Sequence, residues 1–179
     1  MTERTVLSHA EISRAVTRIA HEILESPRRA ERLVLLGIPT RGVLLAERLA
    51  DAIEDIDGTR PFAGALDVTL YRDDLDRQPT RSSHETRIPA EGVDDCTVVL
   101  VDDVFYSGRT IRAAFNALGD IGRARNVQLA VLVDRGHRDY PIRADYVGKN
   151  LPTSEAEHIL VHLGELDGAD EVTIVSDDA

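Results

Sequence analysis

Val98-Val-Leu-Val-Asp-Asp-Val-Phe-Tyr-Ser-Gly-Arg-Thr110 is the stretch that decides how the 179-residue chain is read. Thr97 to Val101 is a continuous apolar, β-branched run, the pattern of a strand buried on both faces of a parallel sheet. It ends in two adjacent acids, Asp102 and Asp103. A short turn with Ser107, Gly108 and Thr110 follows, and a helix is predicted from about Gly108 to Leu118. In open α/β sheets, ligands bind at the carboxyl ends of strands. A glycine-containing turn at a helix N-terminus presents free N–H groups and a positive dipole end, which suits a phosphate. The hydroxyls of Ser107 and Thr110 add donors. Two carboxylates beside that turn can accept hydrogen bonds from ribose hydroxyls or hold a hydrated Mg2+. Sugar diol and phosphate together describe a ribose 5-phosphate. An Asp-Asp pair alone is an ordinary solvated strand end; the apolar run and the Ser-Gly-Arg-Thr turn beside it favour the ligand. The chain has no Gly-x-x-x-x-Gly-Lys loop and no Gly-x-Gly-x-x-Gly fingerprint, which argues against nucleoside triphosphatases and dinucleotide enzymes.

Outward from this centre, Ser8 and Glu11 form a capping box before an apolar series at Ile12, Val16, Ile19, Ala20, Ile23 and Leu24. That spacing predicts an amphipathic helix over about 9–26. A short strand, Leu33 to Gly37, leads to a helix from about Gly42 to Ile56. Another strand is predicted from Leu66 to Tyr71, then a long polar stretch from Arg72 to Asp95. Such a loop inside a compact domain is a lid or a disordered segment. Strands are also expected at Val127 to Val133, Ile159 to Leu163 and Val172 to Val175. The alternation implies an α/β fold with a mostly parallel sheet flanked by helices, in a single domain over 1–179.

No apolar run approaches a membrane span, and MTERTVLSHA lacks the basic-then-apolar layout of a signal peptide, so a cytoplasmic protein is expected. The single cysteine, Cys96, excludes an internal disulfide. The net charge of −11 is unevenly spread. After Lys149 there are eight acids and no Lys or Arg, while the first 149 residues hold 21 basic against 24 acidic. A local basic face therefore remains open.

The central motif resembles the PRPP-binding motif of type I phosphoribosyltransferases. The resemblance implies that family's fold, with a small hood and a flexible lid loop. It also implies that Asp102 and Asp103 contact the ribose, and that the loop Val104, Phe105, Tyr106, Ser107, Gly108, Arg109 and Thr110 cradles the 5-phosphate. Gly37-Ile-Pro-Thr-Arg-Gly42 looks like the family's pyrophosphate loop, with Thr40 and Arg41 as donors. A guanidinium fork suits that role. Asp102, Asp103 and Arg41 are then the catalytic candidates, and Mg2+ would meet Asp102 and Asp103 through PRPP or water. The stretch from Arg72 to Pro89 resembles the lid, with Arg72, Asp73 and Asp74 at its root.

Three further segments, Ala15 to Glu22, Leu70 to Leu75 and Leu132 to Ser154, are similar to the branch of this family that binds RNA and regulates pyrimidine operons. By that likeness Tyr146 stacks on the base, the Val147 backbone hydrogen-bonds it, and Arg135 meets a carbonyl. Tyr106 stands where purine enzymes commonly carry a carboxylate, which favours uracil as substrate and UMP as product, with UMP or UTP as effectors. Thr17, His21, Arg138, Arg143 and Lys149 match the RNA-binding face, although by themselves these patches read as solvated surface with local ion pairs. Lys149 is the only lysine. A homodimer or larger oligomer is implied. Two alternatives stay open: a nucleotide-sensing RNA-binding regulator without turnover, and a purine salvage enzyme without an RNA role.

Overall fold

The computed structural model describes residues 2–74 and 83–176. Strands β2 (Leu33–Gly37), β3 (Phe62–Ala65), β4 (Thr97–Phe105), β5 (Asn126–Asp134) and β6 (Tyr146–Asn150) form one sheet in the order β3-β2-β4-β5-β6. All of its pairings are parallel. Helices α1 (His9–Glu25) and α2 (Arg41–Asp57) cover one face and α3 (Arg109–Ile121) covers the other. The period-2 geometry of β4 sends Val99 and Val101 into the cluster with Ile19, Leu45 and Leu49. Its neighbours Val98 and Leu100 go to the opposite cluster with Ile111, Ala114 and Leu118. With both faces dry, Val98 to Val101 must all be apolar, as they are.

A second, three-stranded sheet forms the hood. Strands β1 (Thr2–Ser8), β8 (Glu171–Ser176) and β7 (Glu157–His162) pair antiparallel in the order β1-β8-β7. The short helix α4 (Gly164–Asp167) links β7 to β8. The expected capping box is formed: the Ser8 N–H donates to Glu11 Oε2 at 2.9 Å. Among the described residues no helix is long and apolar enough to cross a membrane.

Three departures from expectation have physical reasons. The strand predicted at Leu66 to Tyr71 lies earlier, at Phe62–Ala65, and Thr69–Tyr71 is a single 3-10 turn. The Asp67 carboxylate accepts the Thr69 N–H at 3.0 Å and hydroxyl at 2.6 Å, which bends the chain there. Strand β1 was not anticipated, because only Leu7 in it is buried and its partner lies some 170 residues away. Strand β6 is a short edge that carries Gly148 and Lys149, and it lacks a β-branched run. Of the predicted lid, residues 75–82 lie outside the described residues.

The hood is bolted to α2 by charge. Arg48 donates to both Asp170 oxygens at 2.8 Å and also pairs with Glu165, and His9 Nδ1 meets Asp170 at 2.9 Å. The Arg48 fork, opposed by burial and helped by the Gly164 N–H, holds the Asp170 carboxyl well below its ordinary range. Its folded value lies below its unfolded one, so the stabilisation is fully present above the unfolded carboxylate pKa of about 3.9 and is lost progressively as pH falls from there toward the lower folded value. Arg48→Ala strands a carboxylate with only 6% of its side chain exposed and is expected to cost about 3 kcal/mol at pH 7. Urea unfolding from pH 7 to 3 should show the gap to wild type closing in part, because the unpaired Asp170 of the variant takes up a proton there while the Arg48-paired carboxylate stays ionised.

Candidate functional site

Between β2 and β4 the sheet reverses its order. The chain leaves β2 toward β3 on one side, and β4 is followed by β5 and β6 on the other. The loops leaving the two strands diverge at such a point and open a crevice. Here a cleft of about 540 Å3 is lined by Thr40, Arg41, Arg72, Asp102, Asp103 and Thr110, among others. A larger hollow of about 930 Å3 opens at the opposite, amino-terminal edge of β2 and β3, near Arg32, Phe62 and Pro89. It gathers none of the paired acids or phosphate-turn residues, so the smaller cleft is the candidate site.

Two glycines bring the walls of the cleft together. A Cβ on Gly42 would collide with the Val101 carbonyl, and one on Gly37 would collide with the Gly42 carbonyl. Bare backbone at both positions lets the first turn of α2 press against the end of β4. The Ile38 N–H donates to the Val101 carbonyl at 2.9 Å and ties the intervening loop down. That loop contains a cis Pro39–Thr40 peptide. Arg41 reaches the hood, with Nη2 on Asp167 Oδ1 at 3.0 Å. Its Nε–H is buried without an acceptor among the described residues, a donor left over for an anionic ligand.

Across the cleft, Asp102 is buried and Asp103 is half-buried. The Asp103 N–H donates to Asp102 Oδ1 at 3.0 Å, and the Val104 N–H to Asp103 Oδ1 at 2.8 Å. Burial, and then the adjacent Asp103 charge, push the Asp102 carboxyl well above its ordinary value, with the Arg72 guanidinium acting against them. The pair is an acidic centre, only partly offset by Arg72, that a ligand's hydroxyls or a bound cation would relieve.

The turn after β4 has the geometry expected of a phosphate nest. Gly108 caps α3 with φ of +92°, a conformation that favours glycine. The Ser107 hydroxyl accepts the Arg109 N–H at 3.3 Å, and Thr110 accepts Arg72 Nη1 at 3.0 Å. The Arg109 side chain turns outward to Asp73 at 2.7 Å and Asp139 at 3.0 Å, so this residue offers the turn its backbone. Phe105 is buried in the α3-side core and likewise offers only backbone. Of the lid root, Arg72 lines the cleft and forms a two-pronged pair with Asp74, while Asp73 is held by Arg109 and Arg112.

The expected base contacts fare unevenly. Tyr106 is exposed by 41%, and the Arg135 guanidinium lies 4.2 Å from its ring centre. Arg135 is itself buried, with Nε on the Thr153 hydroxyl and Nη2 on the Ser154 carbonyl. Tyr146 does not present a ring to the cleft. It sits in the α1-side core, its hydroxyl donating to Gln128 Oε1 at 3.0 Å near the start of β5. The Val147 carbonyl accepts both Nη groups of Arg18 at 3.2 Å. In this arrangement the Tyr146 hydroxyl is spent on β5, and the Val147 carbonyl on Arg18 of α1.

The remaining expected residues divide similarly. Thr17, His21 and Arg143 are exposed. Lys149 donates to the Val6 carbonyl at 3.3 Å and shares a shallow hollow with Arg14 and Arg18. Arg138 differs: its donors go to Tyr106, Gly136, Ile142 and Asp134, and its guanidinium stacks on Phe105.

Two cleft residues, and a hood residue that pairs with Arg41, were not foreseen. Asp67 follows β3 as Asp102 ends β4, and the misplaced strand hid that parallel. Burial alone would push its carboxyl up, but donors from Thr69, Ser83 and His84 outweigh this and hold it below the ordinary value. His84 lines the same wall. Asp167 reaches Arg41 only through the hood, which leaves no local signal.

Comparison with known proteins agrees with this geometry. Residues 4–166 match the phosphoribosyl transferase domain. The chain is 59% identical to the bifunctional protein PyrR of Leifsonia xyli, covering 97% of each chain. It is 61% identical to that of Streptomyces coelicolor, covering 96% of this chain and 89% of the relative. Among solved structures, a hypoxanthine-guanine phosphoribosyltransferase from Bacillus anthracis superposes with a TM-score of 0.71 at 15% identity, covering 97% and 98% of the two chains. One for hypoxanthine from Staphylococcus aureus gives 0.70 at 17%, covering 97% and 92%, and at such identities the likeness speaks for fold alone. The acidic pair and phosphate turn at the switch point, together with relatives matched over nearly the whole length, place this chain in the phosphoribosyltransferase family, among the bifunctional PyrR proteins.

Proposed function

We propose that the chain transfers the phosphoribosyl group of PRPP to uracil, giving UMP and pyrophosphate, and that it regulates pyrimidine biosynthesis genes by binding their leader RNA in response to UMP or UTP. The observation that carries the first half is the facing of Asp102–Asp103 and the Gly108 turn by the Thr40–Arg41 loop across one cleft. The turn's N–H groups and Thr110 take the 5-phosphate, and the two acids take the ribose hydroxyls. Arg41, with its spare buried Nε–H, takes the pyrophosphate. The bond from the anomeric carbon to the pyrophosphate oxygen breaks as the base nitrogen bonds to that carbon, through an oxocarbenium-like transition state. Catalysis then rests on alignment and on charge placed before the reaction.

Mg2+ fits this centre as a cation borne by PRPP. No group of three or more protein ligands occurs among the described residues, yet two adjacent carboxylates, one buried, need a positive partner. Asp102 and Asp103 would hold it directly or through water, and it would neutralise the departing pyrophosphate. On the base side, a tyrosine at position 106, stacked against Arg135, favours a single-ring base over a purine.

The RNA half rests on α1 and β6. Thr17 and His21 project from the exposed side of α1, and Arg18 joins that helix to β6 beside Lys149. Cations for phosphates beside polar groups for base edges suit an RNA loop. The setting is the cytoplasm and the working unit a homodimer or larger assembly, as expected for this family.

Pyrophosphate release from PRPP and Mg2+ with uracil, hypoxanthine or adenine tests the reaction. Uracil alone should support it, and Asp103→Asn should lose at least about a hundredfold, of the order seen when a transition-state electrostatic partner is removed. Release with a purine would overturn the base assignment. Asp102→Asn should abolish turnover yet raise Tm at pH 7 by about 2–4 °C per kcal/mol relieved. The wild-type carboxyl titrates above its unfolded value, so its contribution to stability declines as pH rises from about 4, and the variant should lack that decline. For RNA, Lys149→Gln should weaken binding and lower the salt slope by about one. An unchanged slope would remove Lys149 from the phosphate contacts.

A further inference from the structure

The segment after β5 is laced to the phosphate turn along its whole length. The Ser107 carbonyl accepts the N–H groups of Asp139 at 2.9 Å and Tyr140 at 3.2 Å. The Phe105 carbonyl accepts the Arg135 N–H at 3.0 Å. Arg109 holds Asp139, and the guanidinium groups of Arg109 and Arg112 lie 5.5 and 5.2 Å from the Tyr140 ring centre. At the middle of this lacing is Arg138. Its Nη1 donates to the Tyr106 carbonyl at 2.7 Å and to the Gly136 carbonyl at 3.3 Å. Its Nε donates to the Ile142 carbonyl at 3.2 Å, and its Nη2 to Asp134 Oδ2 at 2.6 Å. The guanidinium also stacks 3.4 Å from the centre of the Phe105 ring, and its side chain is only 23% exposed.

Four of the five guanidinium N–H donors are committed to the protein, and the planar fork reads four separate points of backbone and carboxylate. Two of its contacts, the Tyr106 carbonyl and the Phe105 ring, belong to the turn that would receive the ribose 5-phosphate. A third, Ile142, is the residue before Arg143, and three positions later the chain enters β6, which carries Lys149.

We infer that Arg138 is a positioning residue that transmits occupancy of the phosphate turn to Arg143 and β6 on the RNA face, and that it does not itself ligate RNA. The inference rests on the RNA reading given above and supplies its regulation. A nucleotide phosphate seated on Ser107–Thr110 fixes the Tyr106 carbonyl and the Ser107 carbonyl. Arg138 and the paired Asp139–Tyr140 backbone then fix residues 136–142. The ordered segment presents Arg143 and the start of β6 in one arrangement. Linkage requires the converse, so RNA bound to that face must tighten UMP by the same factor.

The charge-conserving variant Arg138→Lys separates the two roles, because an ammonium preserves a phosphate contact but cannot span four acceptors. Full-length protein would be titrated with a transcript of the leader preceding the source genome's pyrimidine biosynthetic genes, with and without saturating UMP. For wild type, UMP should tighten the transcript about tenfold or more, within the usual range of coupling. Arg138→Lys should retain the UMP-free Kd within about threefold and lose most of the UMP effect. Asp134→Asn, which loosens one anchor of the same guanidinium and leaves its charge, should lower the coupling in the same direction. An Arg138→Lys protein that keeps the full UMP effect overturns the inference. So does one whose affinity falls equally with and without UMP, the signature of a direct contact. Hydrogen exchange gives a readout that needs no RNA: UMP should protect residues 139–150 in wild type and not in Arg138→Lys. Wild-type protein that binds no transcript would defeat the RNA reading, and absence of that protection in wild type would defeat the relay.

Discussion

Gly42 has no Cβ, and the space one would fill is taken by the Val101 carbonyl. The amino end of α2 therefore lies directly on the carboxyl end of β4, held by the Ile38–Val101 hydrogen bond. Every other feature of the cleft depends on that approach. It sets Thr40 and Arg41 opposite Asp102 and Asp103, and it makes the crevice at the strand-order reversal narrow enough for one small, highly charged ligand. Gly37 repeats the device one layer back, against the Gly42 carbonyl. The sheet's parallel order supplies a crevice, and two missing methyl groups give it the right width.

The second organising feature is unbalanced charge. Asp102 is buried beside Asp103, with Arg72 as its opposing cation. On the facing wall Arg41 carries a buried N–H without an acceptor. Neither arrangement favours the empty fold, since buried polar groups cost free energy until paired. Both make sense for a ligand that brings diol oxygens and phosphate to one wall and pyrophosphate to the other. The ionic bolt of Arg48, Asp170 and Glu165 does the opposite work. It is complete within the protein and holds the hood where Asp167 can reach Arg41.

Much of this was legible from residues. The apolar run before Asp102, the Ser-Gly-Arg-Thr turn and the capping box at Ser8 are local codes, written in a few consecutive positions, and each folds as its pattern implies. What escaped was non-local. Strand β1 is nearly all surface, and it is a strand only because β8 lies beside it. Tyr146 looks like a base-stacking ring in a short polar strand, yet the packing of α1 turns it inward to Gln128. Arg138 reads as surface cation among aspartates, and only the fold shows its fork closed on four partners. Asp167 has no motif at all, since its part in the cleft is created by the hood.

The hood sheet joins residues 2–8 to residues 171–176, with β7 completing it. A chain emerging from the ribosome can pair β2, β3, β4 and β5 as each appears, because these strands follow one another closely. The first strand has to wait for the last. Until β8 emerges, the row of backbone donors and acceptors on β1 stays unpaired, a template for mispairing with other nascent chains. The core that holds the phosphate turn is thus assembled before the roof above it, and the cleft is enclosed only once β8 has met β1.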